Sequence, residues 1–122
     1  MELHLVHFDV AKNAAVLGVL LEEGAQNETL AQISQHMPML PGPERTIPNV
    51  PIDPVTLVPA MHPYFEYIGS LTTPPCSENV AWIVLATPQQ LSPAQVDKFH
   101  QAYAMNARPI QHINQRLLLE SD

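Results

Sequence analysis

Cysteine is nearly missing from this sequence. Cys76 is the only one in 122 residues, so no disulfide can close within the chain. A lone cysteine is either a small buried hydrophobe or half of a bridge whose partner lies elsewhere. Positive charge is scarce too. Five Lys and Arg stand against twelve Asp and Glu, a net charge of -7. That argues against nucleic acid and anionic membrane surfaces as partners, because both are held by basic patches. No stretch of about 18 apolar residues is present, so no membrane span is expected. The four glycines form no phosphate-cradling loop. Ser77 has no evident His and Asp partners, which leaves a serine nucleophile without support. The chain opens on a strand pattern rather than a charged leader. No signal peptide is therefore expected in it, and made as written it is expected to stay in the cytoplasm.

What is present is a one-domain length and a core-forming composition, with 46% hydrophobic residues. The first segment is Glu2-Leu3-His4-Leu5-Val6-His7. It reads as a strand, and side chains on a strand alternate between faces. Glu2, His4 and Val6 share one face, while His7 points the opposite way. His4 and His7 should therefore not hold one metal together. A carboxylate two residues from an imidazole on the same face suits a metal-ligating His whose second nitrogen must be oriented. No turn or cap precedes this strand, as though the chain begins in the middle of a fold.

Residues 14–21 form a continuous apolar run, expected to be a strand buried on both faces, with Gly18 marking close packing or a bulge. Asn27 is placed to cap a helix over residues 27–37, with Leu30, Ile33 and Met37 on one face. Most of the 13 prolines fall in residues 38–63. We read that passage as ordered surface chain anchored by Ile47, Val50, Ile52, Val55, Leu57 and Val58. Asp53-Pro54 is expected to open one helical turn inside it. Residues 64–68 read as an aromatic strand, Gly69-Ser70 as a turn, and residues 79–86 as the strongest strand, with Val80, Trp82 and Val84 on one face. Ser92, Pro93 and Gln95 spell a capping box, with Leu91 placed to staple onto Val96. The helix after it should end near Ala104 and bury Val96, Phe99 and Tyr103. Residues 117–119 make a weak last strand. The sum is a mainly β single domain with two short helices. His36, His62, His100 and His112 have no ligand spacing and read as surface or core-edge residues.

Thr72-Thr73-Pro74-Pro75 puts two hydroxyls beside two prolines in a rigid loop between strands, a place where sites are built. Together with Glu2-Leu3-His4-Leu5-Val6-His7, Ala15-Val16-Leu17-Gly18, Gly69-Ser70-Leu71-Thr72-Thr73-Pro74-Pro75-Cys76 and Trp82-Ile83-Val84, in this order, it resembles the C-terminal half or slightly more of an α-class carbonic anhydrase. Cys76-Ser77-Glu78 and Asn106-Ala107-Arg108-Pro109-Ile110-Gln111 resemble the bacterial branch in particular. The resemblance covers nearly the whole chain.

That resemblance implies part of a large twisted, mostly antiparallel sheet with short surface helices, and a zinc-dependent lyase that reversibly hydrates CO2 to bicarbonate by zinc-bound hydroxide. It gives His4 the part of one zinc ligand and Glu2 that of the carboxylate orienting it. Thr72 takes the part of the gatekeeper hydroxyl, its backbone N–H meeting substrate, with Thr73 a polar neighbour. Val6, Val16, Leu71, Val80 and Trp82 become the apolar wall where CO2 waits. A cis proline bond is implied at Pro74-Pro75. The two other zinc-ligating His, the proton shuttle, the carboxylate that receives the Thr72 hydroxyl and the partner of Cys76 would all belong to an N-terminal part of the domain absent from residues 1–122. A catalytic zinc takes three protein ligands, so the chain alone is expected to be an inactive fragment. Its exposed sheet edge would invite self-association or a complementary N-terminal fragment. The complete protein would be periplasmic or secreted. The alternative is a carbonic-anhydrase-like binding or structural module without catalysis.

Overall fold

The computed structural model describes residues 1–60 and 63–121; His62 lies outside them. Five strands form one sheet in the order β1-β2-β4-β3-β5. They are β1 (Glu2–Phe8), β2 (Ala14–Glu23), β3 (Tyr64–Ser70), β4 (Glu78–Leu91) and the two-residue β5 (Leu119–Glu120). Three pairings are antiparallel and one, β2 with β4, is parallel. The helices α1 (Glu28–His36) and α2 (Pro93–Ala102) follow β2 and β4.

Local chemistry accounts for most of these elements. Between β1 and β2 the carboxylate of Asp9 accepts from the backbone N–H and the side-chain amide of Asn13, at 2.8 and 2.7 Å. Lys12 there takes a positive φ of 68°. The resulting hairpin pairs His4 with Gly18 and Val6 with Val16. Asn27 caps α1 by accepting from the Leu30 N–H. Asp53 caps a 3₁₀ turn, Pro54–Leu57, with Pro at its start. That turn is the only regular structure among the described residues of the proline-rich passage. Leu57 anchors it at 3% exposure, whereas Val55 lies open to solvent. The capping box of α2 is complete, Ser92 and Gln95 each serving the other's backbone.

Several expectations are corrected. Gly69-Ser70 does not turn the chain but completes β3, with an irregularity in the pairing between the two residues. The strand at residues 79–86 extends to Leu91, since the polar Gln89 and Gln90 still pair with Leu21 and Glu22 of β2. β2 is buried on both faces only along its middle: Val16 and Gly18 on one face and Val19 on the other are buried, whereas Ala15 and Leu20 are exposed. Flanking strands satisfy its backbone, but they do not by themselves cover its faces. The α2 stripe is not buried either. Val96 and Phe99 are half-exposed, and Tyr103 caps the helix while stacking on Phe99 at 5.3 Å. His7, His36, His100 and His112 are all exposed.

Candidate metal and substrate site

Register brings the chemistry-bearing residues together. His4 lies opposite Gly18, and Gly18 opposite Val84 of β4. Val6 lies opposite Val16, Val16 opposite Trp82, and Trp82 opposite Tyr67 of β3. Cross-strand partners share a face, so one sheet face carries Glu2, His4, Val6, Val16, Trp82 and Tyr67.

On that face His4 Nε2 stands 3.4 Å from Glu2 Oε2. This nitrogen is shut off from solvent and has no hydrogen bond. With the carboxylate facing Nε2, Nδ1 is the nitrogen left to meet a metal. The Trp82 ring meets the His4 ring edge to face, centroids 4.8 Å apart. Gly18 makes room for the pair. A Cβ at that position would come 2.7 Å from Glu2 Oε1 and 3.4 Å from Val84 Cγ2.

Val16, Val80 and Trp82 form a buried cluster with Leu71, Val84 and Tyr67 packed against it. Trp82 stacks parallel to Tyr67 at 6.1 Å, and the Arg116 guanidinium lies over the Tyr67 ring, 5.9 Å from its centroid. Burial and the Glu2 charge push the Tyr67 phenol pKa up, with Arg116 opposing. Val6 stays 47% exposed at the outer edge of the same face. Thr72 and Thr73 are exposed, in the loop between β3 and β4. Thr72 lines a cavity of about 360 Å³ together with Glu2, Tyr67, Trp82, Arg108 and Arg116. The Pro74-Pro75 bond is cis. Cys76 is a free, half-buried thiol with a φ of 57°.

The donor set tests the implied zinc. His4 with Glu2 behind it has the form of one ligand and its orienting carboxylate. Among the described residues, however, no group of three His, Cys, Asp or Glu side chains is placed to hold a metal. His4 and Glu2 alone do not make up such a group.

Compared with known proteins, residues 1–122 match the eukaryotic-type carbonic anhydrase family along their whole length. The chain belongs to the α-class carbonic anhydrase family. It is 50% identical to a carbonic anhydrase of Nostoc sp., over 99% of this chain and 46% of that protein. To a carbonic anhydrase of Neisseria gonorrhoeae it is 44% identical, over 98% of this chain and 47% of the relative. Its fold superposes on the α-carbonic anhydrase of Thermovibrio ammonificans in complex with sulfanilamide with a TM-score of 0.89 at 42% identity, covering 96% of this chain and 52% of the other. The chain thus spans about half the length of the carbonic anhydrases it matches. A mostly β carbonic anhydrase fold was therefore expected correctly from the motifs.

Sequence reasoning missed the part played by Arg108, Arg116 and Tyr67 around the site. Arg108 and Arg116 are two of only five basic residues, and both are half-buried. Scarce cations in a loop otherwise rich in Asn, Gln and Ile were the available signal.

Proposed function

We propose that this chain is the half of an α-carbonic anhydrase that closes the metal shell and positions the substrate, and that the complete protein reversibly hydrates CO2. The observation that carries the reading is the His4–Glu2 pair, 3.4 Å apart, seated over Gly18 beside the apolar cluster of Val16, Val80 and Trp82. A module free of catalysis has no need of an imidazole with a carboxylate behind one nitrogen and an apolar wall beside it.

In this reading His4 is one of three zinc ligands. The other two come from residues beyond this chain, on a strand lying along the open edge of β1, one of the two edge strands of the sheet. A bound zinc would supply a water acidic enough to serve as nucleophile near neutral pH. The residues of this chain do the rest. Glu2 holds the His4 ring in orientation and favours the Nδ1 lone pair as donor. Val6, Val16, Leu71, Val80 and Trp82 offer CO2 a surface that water does not compete for. The Thr72 hydroxyl orients the nucleophile, its N–H meets the substrate oxygen, and Thr73 lends a second hydroxyl.

The test compares the chain alone with a protein in which the part of the Nostoc sp. relative that it does not match precedes it. Alone, the chain is expected to bind zinc weakly and to show no CO2 hydration above solvent. The joined protein should bind one zinc and turn over CO2, and His4→Ala should remove most of both. Full turnover in the His4→Ala variant would take His4 out of the metal shell. Tight stoichiometric zinc on the chain alone would sink the one-ligand reading.

A further inference from the structure

Ser70 and Leu71, the two residues that lead into Thr72, are gripped from three sides. The indole N–H of Trp82 donates to the Ser70 carbonyl at 3.0 Å. Arg108 Nη1 donates to Ser70 Oγ and reaches the Leu71 carbonyl at 3.4 Å. The Ser70 hydroxyl in turn donates to that same Leu71 carbonyl at 3.1 Å. The Leu71 N–H is taken by the Ser77 carbonyl across the loop, at 2.9 Å. Beyond Thr72 the Cys76 N–H closes the loop on the Thr73 carbonyl, at 2.8 Å.

We infer that Arg108 is a positioning residue for Thr72, its guanidinium clamping the Ser70-Leu71 segment so that the threonine leaves it in one orientation. The inference rests on the reading of Thr72 as the residue that aims the nucleophile. Three features single out Arg108. It is half-buried, and its partners at the loop are an uncharged hydroxyl and a carbonyl. The guanidinium is always ionised, so these hydrogen bonds are charge-assisted and stronger than neutral ones. Its fork lies at the border of two cavities, one lined by Thr72 and the other by Glu78 and Asn79 at the far end of the loop. Finally, the two contacted groups are tied to each other by the Ser70 hydroxyl, so one guanidinium orders both residues at once. Trp82 grips the same segment from the apolar cluster, which couples the Thr72 loop to the wall beside His4.

Amide hydrogen exchange on the 122-residue chain, without metal, tests this. In Arg108→Gln the Leu71 and Cys76 amides should exchange about tenfold faster, as expected for losing a hydrogen bond to a charged group, while the amides of β2 keep their rates. Arg108→Lys, which keeps the charge but not the fork, should restore part of the protection. Ser70→Ala removes one partner with little change in volume and should give a smaller acceleration at the same two amides. Unchanged exchange at Leu71 and Cys76 in both Arg108→Gln and Ser70→Ala would overturn the inference. Equal acceleration across β2 and the loop would overturn it too, since that marks general destabilisation. If Arg108→Gln does not fold, Ser70→Ala alone decides between these outcomes. The readout needs neither zinc nor turnover, so it stands or falls apart from the proposed activity.

Discussion

The carboxylate of Glu2 occupies the space that a side chain at position 18 would require. The ideal Cβ of an alanine there would lie 2.7 Å from Glu2 Oε1, inside any permitted contact. Gly18 is the register partner of His4, so the hairpin sets the imidazole, the carboxylate and the gap that receives it side by side.

Gly18→Ala should therefore push Glu2 away from His4 while leaving β1 and β2 paired. In the joined protein described above, zinc affinity should fall about 10–100-fold, the usual cost of losing the group that orients a ligand. Competition with a chromophoric chelator measures it. Affinity equal to the parent protein would mean that Glu2 has somewhere else to go.

Gln95 should matter more than the cap residue it assists. Its Oε1 accepts from the N–H of Ser92 and from that of Asn27, both at 3.0 Å, and its Nε2 donates to the Asn27 carbonyl at 2.8 Å. One side chain thus serves the start of α2 and the cap of α1. Urea unfolding of Gln95→Ala should show a loss of about 1–2 kcal/mol, against about 0.5–1 for Ser92→Ala. A larger loss in Ser92→Ala would refute the shared-cap account.

Trp82→Phe keeps an aromatic ring in the cluster but strips the donor from the Ser70 carbonyl. It also weakens the stack on Tyr67. Burying an unpaired carbonyl and leaving a small void together should cost about 1–3 kcal/mol in urea unfolding. A variant as stable as the parent would show that the indole N–H contributes nothing there.

Asp9 gives the β1–β2 turn a pH dependence. Hydrogen bonds from the Asn13 side chain, and then from its backbone, hold the Asp9 carboxyl pKa below its ordinary value of 3.8. A carboxylate with a lowered folded-state pKa stabilises above its unfolded pKa, and the benefit is lost as pH falls through the folded one. Asn13→Ala should raise the Asp9 pKa towards its ordinary value, read by NMR titration. The stability gap between parent and variant should be present at neutral pH and shrink in acid. A gap that widens in acid would contradict the assignment.

The parts of the molecule legible in the sequence are those written in short-range chemistry. Asn27, Asp53 and Ser92 are caps because their side chains reach backbone a few residues on. The alternation in Glu2-Leu3-His4-Leu5-Val6-His7 is enough to separate His4 from His7. Gly18 reads in the sequence as close packing or a bulge, and the atoms it accommodates are those of Glu2, Val84 and Trp82. What could not be read depends on partners far along the chain. Gln89 and Gln90 look like the end of a strand, yet β2 supplies pairing for them. Gly69-Ser70 has the composition of a turn, and β4 holds it extended. Arg108 meets Ser70 across 38 residues, a pairing set by how the last loop lies over the sheet. Nothing in either local sequence announces it.

The parallel seam between β2 and β4 has a kinetic meaning. β1–β2 and β3–β4 are each local hairpins, closed by short connections. Val16 meets Trp82 only after a separation of 66 residues, with the proline-rich passage between. Glu2 and His4 belong to the first hairpin, Thr72 and Trp82 to the second. The site is therefore an encounter between two units that can each form quickly, and its assembly must wait for the closing of the longest loop in the sheet. Changes of length in residues 38–60 should alter how fast the two hairpins find each other far more than how they fit once they have.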